Sequence, residues 1–220
     1  VGGEKVCFWP YGYNSFWCDV TDVVKEGEND LVVLLENRPQ SSRWYPGAGL
    51  YRKVRYITLP KVHVPVWGTY VTTPYVGQDY ASVSVRTKVE GLQADESVTL
   101  KTRILDADGQ VVAECLDTRK LLKGEVEQIL TVPSPKLWSP ESPVLYNVET
   151  EVYTGGKIYT EWSEESFRKN LTVREDGTTL QDVVTTRFGV RTIEVRPGVG
   201  FFLNGEKRKF RGVCLHHDLG

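Results

Sequence analysis

The feature that most constrains the fold is a series of short segments, from residue 61 to residue 153, in which apolar and polar residues alternate. The clearest run places Ala81, Val83, Val85, Thr87 and Val89 at every second position. A period of two puts the apolar side chains on one face of a strand, and no segment between these runs has a helical period. We therefore expect sheets with one buried face, built from strands at residues 61–67, 81–89, 97–105, 111–116, 126–132 and 145–153.

The number and spacing of these strands predict an immunoglobulin-like β-sandwich. Asp108-Gly109 and Gly155-Gly156 are predicted to be hairpin turns between strands, because both are typical two-residue turn sequences. Residues 133–143 contain four prolines, which lack the amide donor that a central strand needs. This segment is predicted to be an ordered connection.

The composition excludes some functions. The 220 residues are 40% hydrophobic, which is enough for one large core or two modest ones, and two domains are expected. With 27 basic and 29 acidic residues and no basic block, a nucleic acid partner is not expected. No apolar run reaches the roughly 18 residues of a membrane helix, so a soluble chain without a membrane partner is predicted. The compartment stays open between cytoplasm, periplasm and extracellular space.

The first sixty residues are rich in aromatic side chains. They can stack on sugar rings, but they are predicted to fill a core, because large aromatic residues are mostly buried. Asp19-Val-Thr-Asp22 predicts a capped helical turn that ends at Gly27. Residues 31–35, all apolar, predict a strand buried on both faces, and residues 53–59 predict a second strand. The aromatic residues are Phe8, Trp9, Tyr11, Tyr13, Phe16 and Trp17.

The four cysteines, Cys7, Cys18, Cys115 and Cys214, have no Cys-x-x-Cys spacing, so free and mostly buried thiols are expected. A disulfide between Cys7 and Cys18 stays open as an alternative. Cys214 and His216 share one face of a strand, but further ligands at suitable spacing are absent. No metal site is expected.

The last twenty residues contain the candidate site. Asn204-Gly205 predicts a type I′ turn between strands at residues 201–203 and 207–213. The second strand leads into His216, His217 and Asp218, the densest group of side chains capable of catalysis or binding. We therefore expect the chain to be a piece of a longer protein, whose next domain begins here.

Several motifs, in this order and spacing, resemble glycoside hydrolase family 2, which includes β-galactosidases, β-glucuronidases and β-mannosidases. The resemblance implies an all-β chain with three parts: a partial jelly-roll sugar-binding domain at residues 1–60, an immunoglobulin-like sandwich at 61–194, and the first hairpin and strand of a (β/α)8 barrel at 195–220. The motifs are Gly12-Tyr-Asn-Ser-Phe16, Asp19-Val-Thr-Asp22, Gly27-Glu-Asn29, Arg43-Trp-Tyr-x-Gly-x-Gly-Leu-Tyr-Arg52 and Leu137-Trp-Ser-Pro-x-x-Pro-x-Leu-Tyr146.

The resemblance also implies a function, which is the retaining hydrolysis of terminal β-linked sugars. The form Gly212-Val-Cys-Leu-His-His-Asp218 looks most like the β-galactosidase branch. His216 matches the pocket histidine that donates to sugar hydroxyls at the carboxyl end of the first barrel strand. Neighbouring residues of a strand point to opposite sides, so only one of His216 and His217 can face the sugar. His217 and Asp218 would then support His216. Arg43 and Trp44 would reach the same pocket from the first domain.

One residue departs from the family pattern. Larger β-galactosidases carry an aspartate that helps to bind galactose and a sodium ion at the position that Arg43 occupies. This departure counts against sodium binding and against galactose specificity.

The catalytic carboxylates are expected outside this chain. The family supplies both from later barrel strands, so the 220 residues alone are predicted to be inactive. No cofactor is expected in this chain, while magnesium and a homo-oligomer stay open for the longer enzyme.

A second class of function stays open. A non-catalytic β-sandwich module could bind carbohydrate or another protein, and it would need exposed aromatic residues on one sheet face.

Overall fold

The computed structural model describes residues 1–36, 38–40, 49–50, 52–93, 96–120, 124–155, 157–160 and 173–214. The chain forms two compact units, of which one is Val1–Tyr56 with Arg211–Gly220 and the other is Ile57–Phe210. We call them unit 1 and unit 2. The predicted boundaries near residues 60 and 194 stay predictions.

The predicted all-β class is confirmed, because the described residues contain strands and no helix. All the strands among these residues lie in unit 2. They are β1 (Thr69–Val76), β2 (Tyr80–Lys88), β3 (Ser97–Leu105), β4 (Val111–Lys120), β5 (Glu125–Pro133), β6 (Tyr146–Thr154), β7 (Lys157–Thr160), β8 (Val173–Asp176), β9 (Thr179–Phe188), β10 (Ile193–Arg196), β11 (Gly200–Leu203) and β12 (Glu206–Arg208).

Two antiparallel sheets, with strand orders β1-β2-β5 and β4-β3-β6-β9, form a sandwich. Their inward residues meet in shared hydrophobic clusters, as the alternation predicted. Val83 and Leu130 of the first sheet pack in one cluster with Ile104 and Val148 of the second. The same alternation leaves outward residues such as Ile129 exposed. Burial of apolar area between the two sheets is the main stabilising contribution to unit 2.

A buried polar group interrupts this core. The Thr102 hydroxyl donates to Gln128 Oε1 at 2.7 Å and lies 3.1 Å from the Thr150 hydroxyl. The Gln128 amide nitrogen donates to the Leu100 carbonyl oxygen at 3.2 Å. Because Gln128 lies on β5 and its partners Thr102 and Leu100 on β3, these bonds join the two sheets and satisfy polar atoms that would otherwise be buried without a partner.

The strand predicted at residues 61–67 is wrong. In the structure this segment makes one isolated bridge, between His63 and Glu90, and then turns. The Gly68 amide donates to the Pro65 carbonyl oxygen at 2.7 Å, and Trp67 adopts a positive φ of 60°. Pro65 cannot donate a hydrogen bond to a neighbouring strand, so the chain turns there. Strand pairing begins with β1 at Thr69.

The hairpin predicted at Gly155-Gly156 is also wrong. β6 and β7 do not pair with each other, because β6 pairs with β9 while β7 pairs with β8. Gly155 and Gly177 both have a φ of 70°, and a Cβ on Gly155 would lie 3.2 Å from the Gly177 carbonyl oxygen. These glycines therefore lie between the β6–β9 pairing and the β7–β8 pairing, where the backbone adopts a conformation that glycine favours.

In unit 1 the capped helical turn predicted at Asp19-Val-Thr-Asp22 is confirmed. Asp19 Oδ1 accepts from the Thr21 amide at 2.9 Å, and the Val24 amide donates to the Val20 carbonyl oxygen at 3.0 Å. Gly27 follows with a φ of 94°. The side chain of Asp19 thus satisfies an amide at the start of a single helical turn.

The strands predicted at residues 31–35 and 53–59 are wrong for the residues that the structure describes, since neither segment forms a strand. The predicted burial of residues 31–35 is wrong as well, and Leu34 is 93% exposed. A strand needs a neighbour to accept and donate its backbone hydrogen bonds, and no sheet among the described residues of unit 1 supplies one. The predicted partial jelly roll has no strand among the described residues of this part of the chain.

Candidate functional site

The five predicted site residues, Arg43, Trp44, His216, His217 and Asp218, lie outside the described residues. The structure does describe the hairpin that precedes the three carboxyl-terminal members of this group. This hairpin, formed by β11 and β12, is the described segment that lies nearest to them in the chain.

The predicted type I′ turn is confirmed. Asn204 has a φ of 51° and Gly205 a φ of 78°, and the turn joins β11 to β12. An asparagine and a glycine are the residues that tolerate positive φ in both central positions of this turn.

The second strand of the hairpin is shorter than predicted, because β12 ends at Arg208 and not at residue 213. The cause lies in its partner. β11 begins at Gly200, immediately after a turn in which the Val199 amide donates to the Arg196 carbonyl oxygen at 3.0 Å. Arg208 pairs with Phe201, so β11 provides hardly any further length for β12 to continue along.

The side chain of Asn204 fixes this turn to two other segments. Its Oδ1 accepts from the Thr192 amide at 3.0 Å, and its Nδ2 donates to the Trp138 carbonyl oxygen at 3.0 Å. The Asn204 amide also donates to the Thr192 carbonyl oxygen at 3.0 Å. Sequence reasoning identified Asn204 for its turn only, because its partner Trp138 is 66 positions away in the chain.

Trp138 belongs to the connection predicted at residues 133–143, which is confirmed as ordered and free of strand after Pro133. The Trp138 amide donates to the Val190 carbonyl oxygen at 2.8 Å, and the Arg191 guanidinium lies 5.2 Å from the centre of the Trp138 ring. A Cβ on Gly189 would lie 2.7 Å from Trp138 Cβ, so glycine permits this close approach. The connection is thus held against the residues that follow β9.

The same connection contacts β12. Arg208 Nη1 donates to Glu141 Oε1 at 2.6 Å, and Arg208 Nη2 donates to Glu206 at 3.0 Å. The backbone amide of Glu141, the Ser139 hydroxyl and the Arg208 guanidinium hold the pKa of the Glu141 carboxyl below its usual range. A lowered pKa keeps the carboxylate ionised, and the ion pair formed, to lower pH.

The described part of unit 1 contains a second feature of interest, a loop closed by a disulfide between Cys7 and Cys18. The expectation of free thiols is therefore wrong for this pair, whose Cα atoms lie 6.0 Å apart, a separation that a disulfide can span. Cys214 is a free thiol.

The loop carries the aromatic residues that were predicted to form a core, and that prediction is wrong for the described structure. All of them are exposed, because no sheet among the described residues of unit 1 covers them. Their rings instead contact one another: Trp9 stacks on Phe16 with 5.8 Å between ring centres, and Tyr11 meets Tyr13 edge to face. The exposed rings are Phe8, Trp9, Tyr11, Tyr13, Phe16 and Trp17.

One pair of carboxylates in unit 2 has a structural role. Arg103 donates to both Glu149 and Glu151, and Glu151 also accepts from the Tyr153 hydroxyl at 2.6 Å. Although burial lowers it, the pKa of Arg103 is raised overall by the carboxylates of Glu151 and Glu149. Two carboxylates that share one guanidinium are paired, and neither is placed to act as an acid or a nucleophile.

The described residues contain no group of three or more histidine, cysteine or acidic side chains that could bind a metal ion. His216, which was predicted to share a strand face with Cys214, lies outside them. Within the same residues there is no helix with the length and apolar character needed to span a bilayer.

Known proteins match this chain in sequence. Residues 62–167 match the model of the family described as glycosyl hydrolases family 2. The β-galactosidase BoGH2A of Bacteroides ovatus is 36% identical over 226 residues, which cover 100% of this chain and 24% of that protein. A putative β-glucuronidase of Formosa agariphila is 31% identical over 221 residues, covering 100% of this chain and 19% of its own length.

Solved structures match as well. A glycosyl hydrolase family 2 member from Bacteroides cellulosilyticus shares 30% identity with a TM-score of 0.57, over 73% of this chain and 20% of that one. The β-glucuronidase of Bacteroides uniformis shares 26% identity with a TM-score of 0.53, over 72% of this chain and 18% of that one. The chain thus spans between 18% and 24% of the length of these four proteins. Its motifs, its sandwich and these matches agree, and the chain belongs to glycosyl hydrolase family 2.

Proposed function

We propose that this chain is part of a retaining glycoside hydrolase that acts on terminal β-galactosides. The observation that carries this proposal is the 36% identity, across the whole chain, to the β-galactosidase of Bacteroides ovatus. The confirmed turn at Asn204-Gly205 and its contacts with Trp138 support it, because they lead into the segment that resembles the first barrel strand.

In this proposal His216 binds the substrate. A histidine at the carboxyl end of a barrel strand lies on the face where barrel enzymes build their active sites. Its imidazole donates to a sugar hydroxyl, and the hydrogen bond strengthens as charge develops on the ring in the transition state. His217 and Asp218 orient that segment, while Arg43 and Trp44 contribute from the first sixty residues.

The acid and the nucleophile are proposed to come from parts of the protein outside these 220 residues. A retaining mechanism needs two carboxyl groups about 5 Å apart, one to protonate the leaving oxygen and one to attack the anomeric carbon. Among the described residues, Glu149 and Glu151 lie close together, but both are paired with Arg103.

A β-glucuronide is the second candidate substrate, and one residue of this chain favours it. Arg43 replaces the aspartate of larger β-galactosidases, and a guanidinium can bind the carboxylate of a glucuronide through two hydrogen bonds. Several relatives of this chain carry the name β-glucuronidase, including one from Bacteroides fragilis that is 25% identical over 222 residues.

The test compares aryl β-galactoside, β-glucuronide and β-mannoside at matched concentrations. We expect the gene product that contains this chain to hydrolyse the galactoside fastest, and the isolated 220 residues to hydrolyse none. If the galactoside is hydrolysed fastest, Arg43→Ala should leave the order of the three hydrolysis rates unchanged. If the glucuronide is fastest and Arg43→Ala abolishes that preference, the β-glucuronidase assignment replaces the first.

A binding module is the outcome that would overturn both candidates. Trp9 and Trp17 are exposed, but no strand of the described unit 1 carries them on a sheet face. If the longer protein hydrolyses none of the three glycosides, and sugars quench the tryptophan fluorescence of the 220 residues, the chain is a carbohydrate-binding module.

A further inference from the structure

The outer face of the β1-β2-β5 sheet carries exposed tyrosines. Val71 and Val76 of β1 pack against the core of the sandwich, so Tyr70 and Tyr75, which alternate with them, lie on the opposite face. Tyr80 lies on the same outer face at the start of β2. The three side chains are 55%, 50% and 44% exposed in chain order. A single exposed ring needs no explanation, but several on one sheet face indicate an interaction site.

Two of these tyrosines, Tyr75 and Tyr80, form a pair that we call the tyrosine platform. Their ring centres lie 4.9 Å apart, with the ring planes inclined at 35°. The pair lies beside the turn between β1 and β2, where the Gly77 amide donates to the Tyr80 carbonyl oxygen at 2.9 Å. A Cβ on Gly77 would lie 2.7 Å from the Tyr75 hydroxyl, so glycine at this position leaves room for the Tyr75 ring.

Hydroxyl-bearing side chains adjoin the tyrosine platform. Tyr75 lies opposite Ser82 in the strand register, and Ser82 lies opposite Thr131 of β5. Tyr80 lies opposite Pro133. Ser82, Thr131 and Pro133 belong to the outer face, because they alternate with buried residues of β2 and β5. The platform thus combines apolar ring surface with hydroxyls that can donate and accept hydrogen bonds.

The charged side chains of this face lie towards its other end. Arg86 Nη1 lies 3.5 Å from Glu125 Oε1, and the Arg86 guanidinium lies over the Tyr70 ring, 4.7 Å from its centre. Glu127 Oε1 accepts from the Ser84 hydroxyl at 2.6 Å. Tyr70, whose ring is already covered by a cation, is therefore separate from the tyrosine platform, and the side chains that form and adjoin the platform are neutral.

We propose that the tyrosine platform, with Ser82 and Thr131, binds a neutral oligosaccharide. The apolar face of a sugar ring stacks on the tyrosine rings, while the sugar hydroxyls exchange hydrogen bonds with the hydroxyls around them. Neutral side chains suit an uncharged sugar better than a charged polymer. A protein partner fits less well, because the centre of a protein interface is depleted in serine.

Binding at the tyrosine platform would hold a glycosyl hydrolase on a polysaccharide and so raise the local concentration of its substrate. This role depends on the family to which the chain belongs, and it depends neither on His216 nor on which sugar the longer protein hydrolyses.

The test is affinity electrophoresis of the gene product that contains this chain, in native gels with galactan or glucomannan as neutral probes and polygalacturonate as the charged probe. The variants are Tyr75→Ala, Tyr80→Ala, Gly77→Ala and, as the matched control, Tyr70→Ala. Tyr70 has the same side chain on the same face and a similar exposed fraction, but Arg86 lies over its ring. A methyl group at Gly77 displaces the Tyr75 ring while both tyrosines are kept.

We expect galactan, glucomannan or both to slow the migration of the wild type, and polygalacturonate to leave it unchanged. Tyr75→Ala and Tyr80→Ala should each raise the Kd for the retarding polysaccharide at least about fivefold, since each removes one ring of the platform. Gly77→Ala should raise the Kd by a smaller factor, and Tyr70→Ala should keep it within about twofold of the wild type. The three tyrosine variants should unfold at nearly the wild-type temperature, because the side chains removed are exposed.

Four results would overturn the proposal. Retardation that Tyr75→Ala and Tyr80→Ala leave unchanged would mean that the sugar binds elsewhere, and migration that neither neutral polysaccharide slows would mean that the platform binds no neutral glycan. Retardation by polygalacturonate that Tyr80→Ala abolishes would show that the ligand is charged. Self-association of the wild type that Tyr80→Ala abolishes, measured by sedimentation, would make the platform an interface between two copies of the chain.

The same experiment separates this site from the proposed function. A wild type that hydrolyses none of the three aryl glycosides, but is still retarded through Tyr75 and Tyr80, would reject the proposed function and support the platform. A wild type that hydrolyses one of them and is not retarded would reject the platform alone.

Discussion

Replacing His216 by alanine is expected to lower kcat/KM for the preferred aryl glycoside by about 30- to 150-fold, which corresponds to about 2–3 kcal/mol of transition-state stabilisation. The physical reason is the loss of a hydrogen bond to a sugar hydroxyl that is stronger in the transition state than in the ground state. Steady-state kinetics of the purified gene product, with circular dichroism to show that it is folded, measure the effect.

His217→Ala is the matched control, because it removes the same side chain one position further along. Neighbouring residues of a strand point to opposite sides, so His217→Ala should cost clearly less than His216→Ala. Equal losses in the two variants, or a larger loss in His217→Ala, would show that His216 is not the histidine that binds the sugar.

Truncation of the sandwich core should have the largest effect on stability. Ile104 of β3 is fully buried in the cluster that joins the two sheets, so Ile104→Ala should lower the free energy of unfolding of unit 2 by about 2–5 kcal/mol. The cost combines the lost transfer free energy of the side chain with the cavity that it leaves.

Ile129→Ala is the control for strand propensity, because Ile129 is an isoleucine on β5 whose side chain is 56% exposed. It should change the free energy of unfolding by no more than about 0.5–1 kcal/mol. Urea unfolding of the 220 residues, followed by tryptophan fluorescence, compares the two variants. Similar costs for both would mean that the inward and outward faces of the sandwich have been assigned wrongly.

Much of the sandwich could be predicted from the sequence, because alternation is a local signal. β2, β3, β5 and β6 lie within one residue of their predicted positions, and each buries one face. β1 was not predicted, and Pro74, which lies inside it, argues against a strand. The structure shows why that strand tolerates proline: β1 is at the edge of its sheet, and its register shifts between Thr72 and Tyr75.

The predictions for the first sixty residues failed for a different reason. The apolar run at residues 31–35 is a correct observation, but a strand forms only where a neighbouring segment pairs with it, and burial depends on a covering layer. Neither the pairing segment nor the covering layer can be predicted from residues 31–35 alone. The short capped turn at Asp19 was predictable, because the hydrogen bonds from Thr21 to Asp19 and from Val24 to Val20 join residues that are close in the chain.

At the candidate site, too, the local turn was predictable and the long-range contacts were not. The turn at Asn204-Gly205 follows from two adjacent residues, whereas the bonds from Asn204 to Trp138 and Thr192 depend on the assembled fold. The role of His216 comes from family resemblance and not from periodicity, since a pair of histidines after a strand has no chemical assignment by itself. Arg43, where the family pattern departs, is the residue of this chain on which we propose that the choice between galactoside and glucuronide depends.

The most direct test of the account is the configuration of the first sugar that the gene product releases from an aryl β-galactoside, followed by proton NMR before mutarotation. A retaining hydrolase with two carboxyl groups about 5 Å apart releases the β-anomer first, and this is the result that we predict. Release of the α-anomer first would contradict the retaining mechanism, and absence of any release would contradict the assignment of this chain to a β-galactosidase.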